Sequence, residues 1–360
     1  MTTSHTIPAA GRAMATTISL DRLATYRGIR VLTWHGDVLY GCRGYQVLQL
    51  QADKQDQQWK PVAHFRPPWW RKLTSRNRLT YRLMRDGFHA LAVLDDGGLV
   101  GAVPGAILTR ARGDDEFQVT HRIQRGTRPL HITATPSGRT CWGEYFDNPE
   151  RAEVHIYVSE DRGASWHVAY TFSAGAIRHV HNIVNDPWRK CLWILTGDEG
   201  PECKVLRAPE DLKSIETALE GQQQFRAAAA VPAEEGLYFS TDTPYEPNHI
   251  YRLASTGTLE CVGDLNSSSI YGCRVRDALF FSTMAEPSAV NDNTHVIIAG
   301  SKNAHDWNVL LSWKKDLWPM RFFQYGNIIF PDGQNNTHLL AATTIGVVED
   351  DLTTSLWATR

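Results

Sequence analysis

The chain has 360 residues, 42% hydrophobic and 21% charged, with 37 Lys and Arg against 39 Asp and Glu. So weak a net charge supplies no basic field for nucleic acid, and no run approaches the ~20 apolar residues of a membrane span. The cysteines are scattered without a C-x-x-C pair, which excludes a zinc knuckle or a dense disulfide framework and leaves free, buried thiols as the expectation.

Residues 1–16 contain no apolar core of signal-peptide length, so a cytoplasmic protein is expected, with this segment an extension outside the fold. Met14 is an alternative start. From residue 17 to 360, short runs rich in β-branched and aromatic residues alternate with Gly, Asn, Asp and Pro, and the helical period is almost nowhere sustained. Repeating units open near Arg30, Phe88, Arg128, Arg178, Arg226, Ile270 and Gly326. Their intervals sit near the roughly 40 to 50 residues of a four-stranded propeller blade. The expectation is an all-β, single-domain, seven-bladed β-propeller of four-stranded antiparallel blades, six blades being the alternative. A last unit short by one strand is expected to be completed by the N-terminal segment around Thr17 to Leu20, which closes the ring.

The segment from Arg66 to Gly87 breaks the rhythm. It reads as a short amphipathic helical insertion carrying Arg66, Arg71, Lys72, Arg76, Arg78, Arg82 and Arg85, with Trp69 and Trp70 at its start. Two uses are open: a basic lip for a polyanion or a membrane surface, or a solvated helix whose Trp pair packs on the ring.

In a propeller the first strand of each blade lines the central channel, so residues at blade openings converge although distant in sequence. Arg128, Arg178 and Arg226 stand at three successive openings, and guanidiniums facing one cavity call for an anion, most naturally a carboxylate held in bidentate fashion. The competing use is pairing with Glu144, Asp198, Asp242 or Glu286. His179 and His181 alternate on one strand and so share a face, and His131 occupies the equivalent opening of the preceding unit. Imidazoles there serve either as a base or, with Asp198, as ligands of a divalent metal, although no cofactor is required. Glu144 and Tyr145, Asp242, Glu286 and Tyr325 are candidates for acid or nucleophile, and Asn248 suits hydroxyl recognition. Phosphate loops, H-E-x-x-H helices and G-x-S-x-G elbows do not occur.

The stretch Ser159, Asp161, Gly163, Trp166 matches the S-x-D-x-G-x-x-W Asp-box of sialidases and other BNR-repeat propellers, and a degenerate copy runs from Ser301 to Trp307. The chain thus resembles that superfamily. The motif itself marks a hairpin on the rim. The resemblance implies an arginine clamp for a sugar carboxylate, although Arg128-Pro129-Leu130 stands where sialidases have an Arg-Ile-Pro type of motif. It also implies a Tyr nucleophile with a neighbouring Glu, in the order of Tyr325 and Glu286, and a separate acid. The expected partner is an acidic, uronate- or sialate-type oligo- or polysaccharide, cleaved by hydrolysis or by β-elimination. The same scaffold also hosts non-catalytic proteins, so a propeller that binds a protein or glycan partner is the alternative.

Overall fold

The computed structural model describes residues 17–52 and 58–360, so the expected extension over 1–16 lies outside the described residues. Seven antiparallel sheets form seven blades around a channel, as the unit count anticipates. Their innermost strands are Arg30–Gly36, Ala90–Val93, Thr133–Ala134, Val180–Asp186, Ala227–Ala233, Tyr271–Val275 and Asn327–Ile329, which open blades I to VII in order. Each opening falls within a few residues of its expected position, the largest offset being in blade III, where Arg128 precedes a two-residue inner strand.

The core is distributed rather than central. Seven buried clusters each span two neighbouring blades: Val31, Trp34 and Leu50 of blade I, for example, pack on Leu339, Ala341 and Leu356 of blade VII. Leu192, Ile194 and Leu206 of blade IV likewise pack on Cys141, Ile156 and Val158 of blade III. This accounts for strands that are apolar on both faces, because a blade inside the ring has a neighbour on each side. Blade VII is completed by the N-terminal strand Leu20–Arg27, which pairs antiparallel with Thr353–Thr359. The closing strand therefore lies just beyond the expected Thr17 to Leu20.

A further short strand, Asp332–Asn335, leaves blade VII and pairs in parallel with the inner strand of blade I. It sets Asp332 inside the channel. All six cysteines are free, and four of them are buried.

The Asp161 turn of blade III joins strands Val154–Ser159 and His167–Phe172. Asp161 Oδ1 accepts from the Ser159 hydroxyl and the Ser165 amide, and Gly163 N donates to Ser159 Oγ. Gly163 has φ +83°, which a side chain would resist. Hydrogen bonds from Ser165 hold the Asp161 carboxyl down to about 2. Asn303 plays the same part between Ser301 and the amides of His305 and Asp306 in blade VI.

The 66–87 insertion folds as two helices, α1 (Trp69–Thr74) and α2 (Arg78–Met84), rather than one. Asn77 caps α2 by accepting from Leu79 N, which separates the two. The Trp pair does not pack on the ring: Trp69 is 75% exposed, and Trp70 lies under the Arg71 guanidinium. Much of the positive charge is used internally. Arg71 pairs with buried Asp86, and Arg78 with Asp351. Arg82, fully buried, pairs with Asp316, donates to the Gln324 carbonyl and stacks on Trp318. The helices are thus stapled to the segment before blade VII.

Replacing Arg82 with Ala should destabilise the fold by roughly 3 kcal/mol, the low end for breaking a buried ion pair because Lys315 still faces Asp316. Arg76→Ala, at an exposed position without an ion pair, should change stability by less than about 0.5 kcal/mol. Urea unfolding of the two variants checks both values.

Candidate functional site

In an antiparallel blade the start of the first strand lies beside the end of the second. Val180 pairs with Thr196, Ala227 with Thr241 and Tyr271 with Ser282. Residues just before a first strand and just after a second strand therefore gather on one face of the ring. Asp198, Asp242 and Glu286 belong to the second group; Arg178, Arg226 and Tyr325 belong to the first. Gly197 allows the Asp198 turn, since its φ is +104° and a Cβ there would fall 2.2 Å from the Glu202 carbonyl oxygen.

Asp198 is the hub of blades IV and V. Arg226 Nη2 lies 3.2 Å from it and Arg178 Nη1 3.6 Å, while His179 and His181 Nε2 are 3.5 and 3.4 Å away. Burial opposes its charge, but the hydrogen bonds and charges of the two histidines prevail and hold its carboxyl well below the usual carboxylate range. Burial lowers the pKa of His181 despite Asp198. The Tyr145 ring lies 4.3 Å from that of His179, and burial pushes its phenol up to about 12, with Asp242, Asp198 and Glu286 adding to the effect.

Asp242 is the perturbed acid of the group. Burial raises its carboxyl to about 7, Arg226 opposes this, and Glu286 and Asp198 reinforce it. Ser268 donates a hydrogen bond to it. Burial and the nearby Glu286 carboxylate both raise the Tyr325 phenol. Asp242, near enough to Glu286 and Asp198 to feel their charge, is thus partly protonated near neutrality.

The expected arginine triad is divided. Arg178 and Arg226 are answered by the protein's own acids, Asp147 and Asp198 for the first and Asp198 and Asp242 for the second. Arg128 sits in a different group. Arg30 and Arg85 repel it, and burial, the larger effect, lowers it to about 9. The buried phenols of Tyr81 and Tyr271 lie near Arg30 and Arg128, whose charges oppose the rise that burial gives them. Among the described residues, and in contrast to Arg178 and Arg226, none of Arg30, Arg85 and Arg128 has a carboxylate within ion-pair distance. His89 links them: Arg30 Nη1 donates to its Nδ1 at 3.0 Å, so its Nε2 carries the proton and donates to the Arg85 carbonyl at 2.9 Å. Burial and the neighbouring Arg128 and Arg30 keep that imidazole neutral. Arg85 also acts on Tyr325, so this cationic group adjoins the acid group.

Three other expected site residues are held elsewhere. Glu144 is buried and turned into its own hairpin, where Arg125 grips it and His155 N donates to it at 2.9 Å. Asn248 is spent on a loop, bonded to Thr241 and Thr243 through both ends of its amide. His131 pairs with Asp332 at 2.9 Å. Both of these line a cavity of about 770 Å³ at the opposite end of the channel, together with Tyr271, Trp188 and Arg274. Arg30, Tyr81, Arg85, His89, Tyr271 and Asp332 were not anticipated. Arg30, His89 and Tyr271 stand at blade openings, the same signal that singled out Arg128.

No family model and no curated protein matches the chain. Solved structures do resemble it. A chain of the mitotic checkpoint complex is 11% identical with a TM-score of 0.57, the alignment covering 99% of this chain and 98% of that one. The extracellular domain of a putative one-component system from B. thetaiotaomicron is 9% identical, TM-score 0.56, over 94% of this chain and 41% of that one. The GH74 enzyme of Niastella koreensis is 15% identical, TM-score 0.53, over 81% of this chain and 46% of that one. This chain thus spans less than half the length of the last two. At such identities the likeness is one of fold, a propeller shared by enzymes and by proteins of other kinds.

Because the folded-state value of Asp242 lies above the ~4 of an unfolded carboxyl, the native state binds the extra proton. Its contribution to stability is fully present below about pH 4 and is lost as pH rises through about 7. Asp242→Asn should therefore melt higher than the parent protein at pH 8 and flatten the dependence between those values. Thermal midpoints of both proteins across that range are the check.

Proposed function

We propose that this face of the propeller cleaves a glycosidic bond of an acidic glycan by hydrolysis. The observation that carries the reading is Asp242, whose carboxyl is raised to about 7, with Glu286 near enough to act on both it and Tyr325. Hydrolysis needs an acid that is still protonated near neutral pH to donate to the leaving oxygen, and a separate group to attack the sugar carbon. Asp242 takes the first role. Tyr325 takes the second, with Glu286 accepting the phenol proton as the oxygen attacks. Water then releases the sugar, and the proton returns by the same route.

The acidic character of the substrate is argued from Arg30, Arg85 and Arg128. Such a group held without a protein carboxylate suits a substrate carboxylate, which would relieve the mutual repulsion that lowers Arg128. This replaces the clamp of Arg128, Arg178 and Arg226, two of which are already compensated. Tyr145, beside His179, completes the wall of the site. The Asp161 turn, with its Ser, Asp, Gly and Trp in Asp-box spacing on the rim, favours a sialidase-like lineage, and the GH74 enzymes among the neighbours fit a carbohydrate substrate.

The test is a panel of sialylated and uronate-containing oligosaccharides incubated with the full chain. Hydrolysis yields a new reducing end without ultraviolet absorption. Asp242→Asn or Tyr325→Phe should lower kcat by about 10²-fold or more, within the range for losing an acid or a nucleophile. Arg128→Ala should act mainly on KM. An unsaturated, absorbing product would replace hydrolysis by β-elimination. Binding without turnover, unchanged in Asp242→Asn and Tyr325→Phe, would make the propeller a non-catalytic glycan receptor.

A further inference from the structure

The inner strand of blade IV holds an arrangement that hydrolysis does not use. His179 and His181 are buried, 6% and 4% exposed, and each ring is fixed from behind by a backbone carbonyl. His179 Nδ1 lies 3.1 Å from the Phe146 oxygen, and His181 Nδ1 lies 2.9 Å from the Ala227 oxygen. A carbonyl only accepts, so each Nδ1 carries the ring proton. In the neutral rings both Nε2 atoms then present lone pairs, and these face each other at 3.0 Å. The Asp198 carboxylate, which also only accepts, stands 3.5 and 3.4 Å from the two nitrogens. With both rings neutral, three acceptors therefore converge with no donor among them, and either a shared proton or a metal ion would resolve this.

We propose that His179, His181 and Asp198 bind a divalent first-row transition metal, Zn²⁺ or a close analogue. The triangle has the right size. Ligands about 2.0–2.1 Å from a tetrahedral metal stand roughly 3.3–3.4 Å apart; here the two nitrogens are 3.0 Å apart, with Asp198 Oδ2 3.5 Å from His179 Nε2 and Asp198 Oδ1 3.4 Å from His181 Nε2. An Nδ1–H held by a carbonyl is the usual orienting contact behind a metal-bound imidazole. Two nitrogen donors favour such an ion over Mg²⁺ or Ca²⁺, which take oxygen. Arg226 and Arg178 also face Asp198, so the imidazole pair is the main anchor. The remaining coordination position would be left to water or substrate. The competing occupant is a single proton, which would make one ring an imidazolium that donates to the other.

The site is independent of the hydrolytic reading, since binding is measured without substrate. The full chain, stripped with chelator and desalted, is titrated with Zn²⁺ and with Co²⁺. Bound metal is counted by elemental mass spectrometry, and Co²⁺ coordination is read from its visible d–d absorption. One equivalent per chain is expected, with a higher melting temperature on Zn²⁺ addition. His179→Gln and His181→Gln should lose the band and the shift. Asp198→Asn, close in shape, should weaken binding by at least about 10-fold while melting cooperatively without metal. His249→Ala tests the second, more exposed cluster of His249, Cys261 and Asp264, and should change nothing. Absence of a stoichiometric Co²⁺ band in the parent protein, or its loss in His249→Ala alone, would overturn the proposal in favour of a shared proton or of the second cluster.

Discussion

The seven interblade contacts, each a buried cluster shared by two adjacent sheets, are the interaction on which this molecule depends. No blade has a core of its own. Blade V is covered on one side by Leu195 and Val205 of blade IV and on the other by Leu279 and Phe281 of blade VI. A closed ring is the arrangement in which every sheet obtains two such neighbours, and it also leaves no exposed blade face. Closure is made by pairing the two ends of the described chain, Leu20–Arg27 with Thr353–Thr359. The edge of blade VII is thereby occupied by the protein's own strand rather than left open to association.

Because the ring is closed, the channel face is over-determined, and charged groups can be held there at a cost that no single blade would sustain. Asp198 brings together Arg178, Arg226, His179 and His181 from blades IV and V. Burial, with Glu286 of blade VI, raises the cost of ionising Asp242 of blade V. On the other side of the mouth the arginines outnumber the acids, and Tyr81 and Tyr271 lie close to Arg30 and Arg128. One face of the ring is therefore electrostatically divided, with a compensated half around Asp198 and an uncompensated half around Arg128. Such a division would draw an anionic group to the half around Arg128, away from Asp242 and Glu286.

The helical insertion contributes to both halves. Arg82 and Arg78 bracket Trp318, 4.7 Å from its ring on each side, and fasten α2 to the segment that ends at Tyr325. Tyr81 and Arg85 of the same short stretch then reach the Arg30 and Arg128 group. Four of its seven basic residues, Arg66, Arg71, Arg78 and Arg82, are held in ion pairs, although five of the seven, Arg76 among them, are exposed.

The propeller, its number of blades, their openings and the origin of the closing strand were all legible in the residue order, because strand period, turn residues and unit length are local properties. So was the rule that blade-opening residues meet in the channel, which correctly brought Arg178, His179, His181 and Arg226 together. What local pattern could not decide was partnership. Glu144 and Asn248 looked available but are taken by Arg125 and by Thr241 and Thr243. Arg128 parted from the other two arginines because a two-residue inner strand and the α2 helix place it beside Arg30 and Arg85. Which acid answers which base depends on distances between blades far apart in sequence, and those distances exist only once the ring has closed.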